Sequence, residues 1–221
     1  MRSAVLIPLA AAFALPANAV AAPALTSKLE HNSVRYGAAH HVTGTLLDGT
    51  TPLANQDIVL EGRRYPYDGS YRVIERATTD AKGAFDFKAE LDRNHRLRVT
   101  APAQAVTGKL MKAYTLPDFD LSFRALRPGV VRLTQRYTVP KRVKLSAPTL
   151  FYLGPRKAKK ASLREDGKLR RTSAGHYVAR VTVTLPASWN GAFRFASCFR
   201  ASPHSGMGDP GASCPHLRLR F

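Results

Sequence analysis

The chain has 221 residues, with 34 Lys or Arg against 15 Asp or Glu, and a formal net charge of +19. After residue 22, no apolar run is long enough to cross a bilayer. Residues 23–112 contain 13 basic and 10 acidic side chains, whereas residues 113–221 contain 20 and 5. This length fits one large or two small domains, and the uneven charge favours two. An excess of +15 in the second half attracts polyanions at long range.

Residues 1–22 have the features of a secretory signal peptide. Arg2 gives a basic start, the apolar segment 4–15 is too short to span a bilayer, and small residues follow at signal-peptidase spacing. We expect cleavage after Ala19 or Ala21. The lack of glycosylation sequons, and the excess of Arg over Lys in an Ala-rich chain, favour a bacterial source. We therefore predict a secreted, extracellular or cell-envelope protein with no transmembrane segment after signal removal.

Residues 23–101 predict an immunoglobulin-like β-sandwich. Short alternating segments are separated by turn residues, as where Asp48-Gly49 follows the strand 40–47. Phe85 and Phe87 alternate with polar residues, so both rings should face one side of a strand. No segment shows helical periodicity, and this favours an antiparallel sandwich.

Three segments of this half carry a resemblance to a known family. Residues 42–44 (VTG), 52–60 (PLANQDIVL) and 79–87 (TDAKGAFDF) resemble the carboxypeptidase-regulatory-like, or bacterial immunoglobulin-like, modules of secreted and surface proteins. Asn55 stands where those modules usually have glycine, and an asparagine in a turn can accommodate the change. The resemblance implies a spacer or adhesion unit that contributes no catalytic residue.

Residues 102–118 predict a connector with some strand character, and residues 119–221 predict a second, basic β-sandwich domain. The strongest strand of the chain is 176–185, which is nearly all β-favouring. The full expectation is therefore an all-β protein with two antiparallel β-sandwich domains after a cleaved signal peptide. The second domain is similar to uncharacterised secreted bacterial proteins, and this similarity implies no activity.

The segment 185–214 holds both cysteines of the chain. In an exported protein, Cys198 and Cys214 predict one disulfide, which would stabilise the fold by about 3 kcal/mol in the chain-entropy model. The alternative is a metal site that adds His204 and His216, but this spacing matches no standard zinc pattern. We predict no metal, no cofactor, and a loop 204–209 held by the disulfide.

Catalytic patterns are poorly supported. The acidic residues of the second half all lie in or beside turns or connectors; they are Asp118, Asp120, Glu165, Asp166 and Asp209. There is no G-x-S-x-G elbow, and a thiol that His204 could activate is better explained as half of a disulfide. His40 and His41 should point to opposite faces of a strand, with solvent exposure at the strand start as the simplest explanation.

The positive charge of the second half is the best functional lead. Ten basic residues are candidates for anion binding: Arg132, Arg136, Arg156, Lys157, Lys159, Lys160, Arg170, Arg171, Arg194 and Arg200. They predict a non-catalytic protein that binds anionic cell-wall polymers or polysaccharide, with nucleic-acid binding non-specific at most. The alternatives are a purely structural spacer, whose charge gives solubility, and a cell-wall or polysaccharide-active enzyme. The enzyme would need His204, Asp209 and His216 around one cleft.

Overall fold

The computed structural model describes residues 22–146, 148–157, 161–189, 192–199 and 204–208. Within these ranges the chain is all β, with two 3₁₀ turns at Pro102–Gln104 and Ala187–Trp189. Its strands form two β-sandwich domains, which confirms the predicted fold class. The described part contains no helix that is long and apolar enough to cross a membrane. Positions 1–21, which carry the predicted signal peptide, lie outside it.

The first domain packs two sheets face to face. Its strands are β1 (Pro23–Leu29), β2 (Ser33–Arg35), β3 (Ala39–Asp48), β4 (Thr51–Pro52), β5 (Asp57–Arg64), β6 (Arg72–Thr78), β7 (Ala84–Glu90), β8 (His95–Ala101), β9 (Val106–Thr107) and β10 (Met111–Leu116). In one sheet β3 lies between β1 and β7, and in the other the order is β2-β10-β8-β5-β6. The short strand β4 pairs with the end of β3, and β9 pairs with β8.

Alternation along these strands builds the core. Phe85 and Phe87 on β7 are 6% and 0% exposed, and their ring centroids are 5.6 Å apart, so both face the core as predicted. Asn55 has a φ of 55°, a conformation that glycine favours and asparagine tolerates, and this confirms its expected tolerance in the turn. Its backbone N–H donates to the carbonyl of Thr79 at 2.9 Å.

The two adjacent histidines of β3 point to opposite faces, as predicted. The expectation that both are exposed is wrong for His40, which is completely buried. The reason is that β3 is paired on both sides, and its inner face is covered by the second sheet. His41 lies on the other face, with Nδ1 4.0 Å from the carboxylate of Asp86.

The predicted connector 102–118 is mostly part of the first domain. β10 pairs antiparallel with β8 and parallel with β2, and its alternate residues Met111, Ala113 and Thr115 are buried. The chain thus passes into the second domain at Pro117. The alternation of β10 was visible in the sequence, but its pairing with β2 depends on residues far away in the chain.

The second domain is a sandwich whose two layers share a strand. Its strands are β11 (Asp118–Arg127), β12 (Val130–Thr138), β13 (Thr149–Pro155), β14 (Leu163–Ser173), β15 (His176–Thr184) and β16 (Phe193–Phe199). They follow the order β11-β12-β15-β14-β13-β16. The first half of β14 pairs with β13, and its second half pairs with β15. A strand that passes between layers makes a corner of the sandwich.

Gly167 occupies this corner. It is buried, and a Cβ added there would lie 2.5 Å from the ring of Phe151. Phe151 and Leu133 belong to the cluster that fills the space between the layers. Because glycine has no side chain, the bent strand can lie against this core ring. Any larger residue at this position would clash with the ring.

Two polar contacts also cross between the layers. The hydroxyls of Tyr137 on β12 and Thr149 on β13 are 2.7 Å apart and buried. Burial raises the pKa of Tyr137 to about 12, and the Thr149 hydrogen bond opposes this shift. Gln135 on β12 accepts a hydrogen bond from the Ser197 hydroxyl on β16. The side chains of Tyr137, Thr149 and Gln135 are thus paired, as buried polar groups usually are.

Candidate polyanion-binding face

The outer side of the layer formed by β11, β12, β15 and β14 carries a cluster of cations. The inward residues Leu133 and Tyr137 of β12 are buried, so the alternate residues Arg132 and Arg136 point outward. The same alternation on neighbouring strands brings further basic side chains to this side. The cationic face consists of Arg124, Arg132, Arg136, Lys168, Arg170 and Arg180.

The strand register places like charges directly opposite each other on this face. Arg124 on β11 pairs with Arg132 on β12, and Lys168 on β14 pairs with Arg180 on β15. Neighbouring strands are about 4.8 Å apart. Like charges at such positions destabilise a sheet. Sheet formation alone therefore does not explain these two pairs.

One cation at the edge of the face, Arg136, has an acidic partner. Asp120 Oδ2 lies 3.7 Å from Arg136 Nη1, and both side chains are exposed. Among the described residues, no carboxylate oxygen lies within 4 Å of a side-chain nitrogen of the other five cations. Most of the positive charge is therefore directed to solvent without a local counter-charge.

Hydroxyl groups lie between the cations. In one row across the strands, Ser122 and Thr134 stand beside Arg180, and in the next row Thr182 stands beside Arg132. A hydroxyl donates to an anionic oxygen as readily as it accepts a hydrogen bond. The face thus offers both charge and directional donors to a phosphate, sulfate or carboxylate group.

The structure divides the ten residues predicted for anion binding. Arg132, Arg136 and Arg170 lie on the cationic face. Arg171 lies in register with the inward Tyr177, and its Nε donates to the Ser173 carbonyl at 3.2 Å. The remaining residues belong to the other layer or its loops, namely Arg156 and Lys157 after β13 and Arg194 on β16. Lys159, Lys160 and Arg200 lie outside the described residues.

Arg124, Lys168 and Arg180 also belong to the face, although they are not among the ten residues predicted from the sequence. Arg124 ends a short alternating run, and Arg180 interrupts the most β-favouring strand of the chain. Arg180 is the only Lys or Arg in β15, and Arg124 shares β11 with Arg127 alone. The signal that unites them is the cross-strand register, which only pairing over long sequence separations reveals.

The segment 204–208 lies at the junction of the two domains, and we call it the junction segment. Met207 is 1% exposed and packs in a cluster of the second domain with Tyr137 and Tyr177. Gly206, at a φ of +65°, lies against the ring of Tyr65 in the first domain. The junction segment therefore contacts both domains at once.

Hydrogen bonds fix the junction segment to the first domain. The backbone N–H of Asn94 donates to the Gly206 carbonyl at 2.7 Å. The Asn94 side chain donates to the Gly208 carbonyl at 2.8 Å and accepts from the Thr115 backbone N–H at 2.9 Å. In turn, the Gly208 N–H donates to the Thr115 carbonyl at 2.9 Å. This segment, expected to be a loop of the basic domain, thus joins the two domains.

Most residues of the predicted disulfide, and of its metal-binding and catalytic alternatives, lie outside the described part of the chain. Cys198 lies on β16, in register with Leu150, while Cys214, Asp209 and His216 lie outside the described residues. His204 is exposed at the start of the junction segment. Within the described ranges, no group of three or more His, Cys, Asp or Glu side chains could hold a metal ion.

A second polar surface lies on the first domain, on β5, β8 and the loop after β5. Arg98 lies 4.1 Å from the ring centroid of Tyr71, and Arg96 lies 4.7 Å from that of Tyr67. Arg98 also pairs with Glu61 at 2.7 Å. Since these guanidinium groups already have ring or carboxylate partners, the cationic face is the better candidate for anion binding.

Comparisons with known proteins name no family for this chain. No protein-family model matches it, and no curated protein matches it. A crystal structure of a Salmonella alpha-2-macroglobulin mutant is similar over 81% of this chain, at 15% identity and a TM-score of 0.33, and the chain spans 13% of its length. The D0-D1 domain of intimin is similar over 79% of this chain and 89% of its own, at 14% identity and a TM-score of 0.32.

Proposed function

We propose that this protein is an exported, non-catalytic protein that binds anionic polymers of the cell envelope through its cationic face. The observation that carries the proposal is the strand register, which sets Arg124 opposite Arg132 and Lys168 opposite Arg180 in adjacent rows of one sheet. A polyanion laid across the strands would relieve the repulsion in both rows. In this proposal the first domain is a carboxypeptidase-regulatory-like spacer.

The spacing of the face suits a chain with repeated charges. Outward residues follow one another at about 6.7 Å along a strand and at about 4.8 Å across strands. Arg132 and Arg136 therefore lie two outward positions apart on β12, with Thr134 between them. A linear polymer with a phosphate, sulfate or carboxylate on every unit can meet several cations without a fixed sequence or a deep pocket.

The exposure of the cations determines the strength of binding. Exposed ion pairs contribute about 0.2–1 kcal/mol each and are screened by salt. The six cations together should bind a polyanion weakly. Such weak binding can still retain the protein on a surface where the polymer is dense. The affinity should fall steeply as salt rises, because binding releases counterions from the polyanion.

The test is a titration of the full chain against heparin and against a poly(glycerol phosphate), at several salt concentrations. The double variant Arg132→Ser/Arg180→Ser should lower the slope of log affinity against log salt by about 2, one unit for each cation removed. The matched control Lys28→Ser/Lys109→Ser removes two exposed cations from the first domain and should leave that slope within about half a unit. Salt-independent binding, or equal loss in both double variants, would contradict the proposal.

Export and the disulfide are separate parts of the proposal. Their support is the signal-like segment 1–22 and the presence of two cysteines, Cys198 and Cys214, in the chain. Expression with the natural N-terminus should give a mature mass that begins after Ala19 or Ala21, and a thiol count of zero. A full-length mass with two free thiols would contradict both.

A further inference from the structure

An apolar groove lies in the second domain at the end of the β11–β12 hairpin. Its volume is about 480 Å³, within the size range of small-molecule sites. Most of its lining is aliphatic or aromatic, and it includes Phe123, Leu126, Leu185 and Phe193. Arg127 is the charged residue among the described lining residues. We propose that this groove binds the acyl chain of a single-chain carboxylate, such as a fatty acid, with Arg127 paired to the carboxylate.

Two phenylalanines, Phe123 and Phe193, line the groove, and a third packs against both. Phe123 on β11 lies 5.4 Å from both Phe193 and Phe195 on β16, edge to face, and the latter two rings are 5.8 Å apart. These strands are the two outer strands of the six-stranded sheet, so the rings close the gap between its edges. Side chains, and not backbone hydrogen bonds, join β11 and β16 at this place. Side chains can move apart, so an acyl chain can enter between the two strands.

Large apolar groups remain exposed at this place. Phe123 is 54% exposed and Leu126 is 40% exposed. Large apolar groups that lie side by side and exposed are candidates for cover by a ligand, since contact of apolar surface with water is unfavourable. An acyl chain would cover both side chains and leave the polar outer face of the strand in water.

Charge distinguishes a carboxylate from a second copy of the chain. Arg127 lines the groove, and Arg124 lies on the same edge strand. A two-fold contact through this edge would place Arg124 and Arg127 of both copies in one interface, and this concentration of like charge opposes association. A carboxylate at one end of an acyl chain instead supplies the opposite charge beside Arg127.

The only tryptophan of the chain provides the readout. Trp189 packs against the core cluster that contains Val131 and Leu185, both of which line the groove. Myristate, added below its micelle concentration, should change the Trp189 emission saturably at one molecule per chain. A signal that never saturates, or no change together with no heat of binding, would overturn the proposal.

Two variants separate the acyl contact from the carboxylate contact. Arg127→Gln should weaken myristate binding about tenfold and leave the affinity for uncharged tetradecanol unchanged. Phe123→Ser should weaken both ligands by about fivefold or more, and a circular dichroism spectrum like that of the natural chain checks that the variant is folded. If the Arg127→Gln protein binds myristate as tightly as the natural chain does, Arg127 does not pair with the carboxylate and the proposal is overturned.

Further experiments distinguish binding in the groove from binding at the cationic face, and a fatty acid from other ligands of the groove. The double variant Arg132→Ser/Arg180→Ser should bind myristate as the natural chain does, so the two sites can fail independently. Sedimentation should show the same mass with and without Phe123→Ser. A dimer abolished by that substitution would assign the groove to a second copy and overturn the proposal. Binding to anionic vesicles without binding of free myristate would also overturn it.

Discussion

The side-chain amide of Asn94 in the first domain donates a 2.8 Å hydrogen bond to the carbonyl of Gly208, 114 residues further along the chain. Asn94 is 5% exposed, so this bond and the one from the Thr115 N–H lie away from water. One buried asparagine therefore holds the junction segment and strand β10 together.

Replacing this asparagine should loosen the junction. Asn94→Ala leaves the Gly208 carbonyl and the Thr115 N–H without this partner, at about 1–3 kcal/mol for each buried group. We expect urea unfolding to show a loss of about 2–4 kcal/mol. Asn32→Ala, the same chemical change at an exposed position, is the control and should cost less than about 0.5 kcal/mol. Equal losses in both variants would mean that the side chain of Asn94 does not hold the junction.

Gly206 should not tolerate a side chain. It has a φ of +65°, and an added Cβ would lie 2.5 Å from Cδ1 of Tyr65. Gly206→Ala therefore incurs both a left-handed backbone cost of about 1–2 kcal/mol and a clash. Gly37→Ala is the matched control, because Gly37 has a φ of +89° but no atom within 4 Å of the added Cβ. Thermal unfolding should rank Gly206→Ala as clearly the less stable of the two, and a reversed order would rule out the clash.

The buried His40 should make the first domain sensitive to acid. Its pKa is lowered to about 4, chiefly because burial removes the ring from water, while the His31 backbone opposes the shift and His95 adds to it. A depressed pKa means that the unfolded state takes up the proton first as the pH falls from 6.5 towards 4. The stability that the neutral His40 contributes is therefore fully present above pH 6.5. About 3 kcal/mol of it is lost as the pH falls from 6.5 to 4.

The measurement is urea unfolding at pH 8 and at pH 4.5. His40→Leu should lose less stability between these two pH values than the natural chain does. Its stability at pH 8 shows whether the leucine fits the core. An unchanged loss on acidification would assign the acid sensitivity to other groups.

Removal of one cation from a like-charge pair should stabilise the fold. Arg180→Thr relieves the repulsion with Lys168, and threonine suits a strand. We expect a gain of about 0.2–1 kcal/mol at low salt, which shrinks as salt screens the pair. The same variant should bind heparin more weakly. Lower stability at every salt concentration would show that Arg180 supports the sheet instead of straining it.

Local patterns were sufficient to predict several strands and the faces to which their residues point. Phe85 and Phe87 point to one core because alternation in a strand is a local property. Asn55 takes its left-handed turn for an equally local reason.

Relations between distant strands were not predictable in this way. The burial of His40 depends on a second sheet, and the like-charge pairs of the cationic face depend on register between strands. The corner at Gly167 depends on the ring of Phe151, which a single sequence does not place beside it. These features follow from tertiary pairing, which a local pattern leaves open.

The parallel pairing of β2 with β10 has a consequence for the order of folding. Tyr114 on β10 lies in register with Ser33 on β2, so the second sheet of the first domain cannot be completed until residues near 116 are available. Contacts of such long sequence separation slow folding, because loop closure must precede them. β11 begins at Asp118, directly after this closure. We therefore expect the first domain to complete its topology as the second begins, and the junction segment to close last.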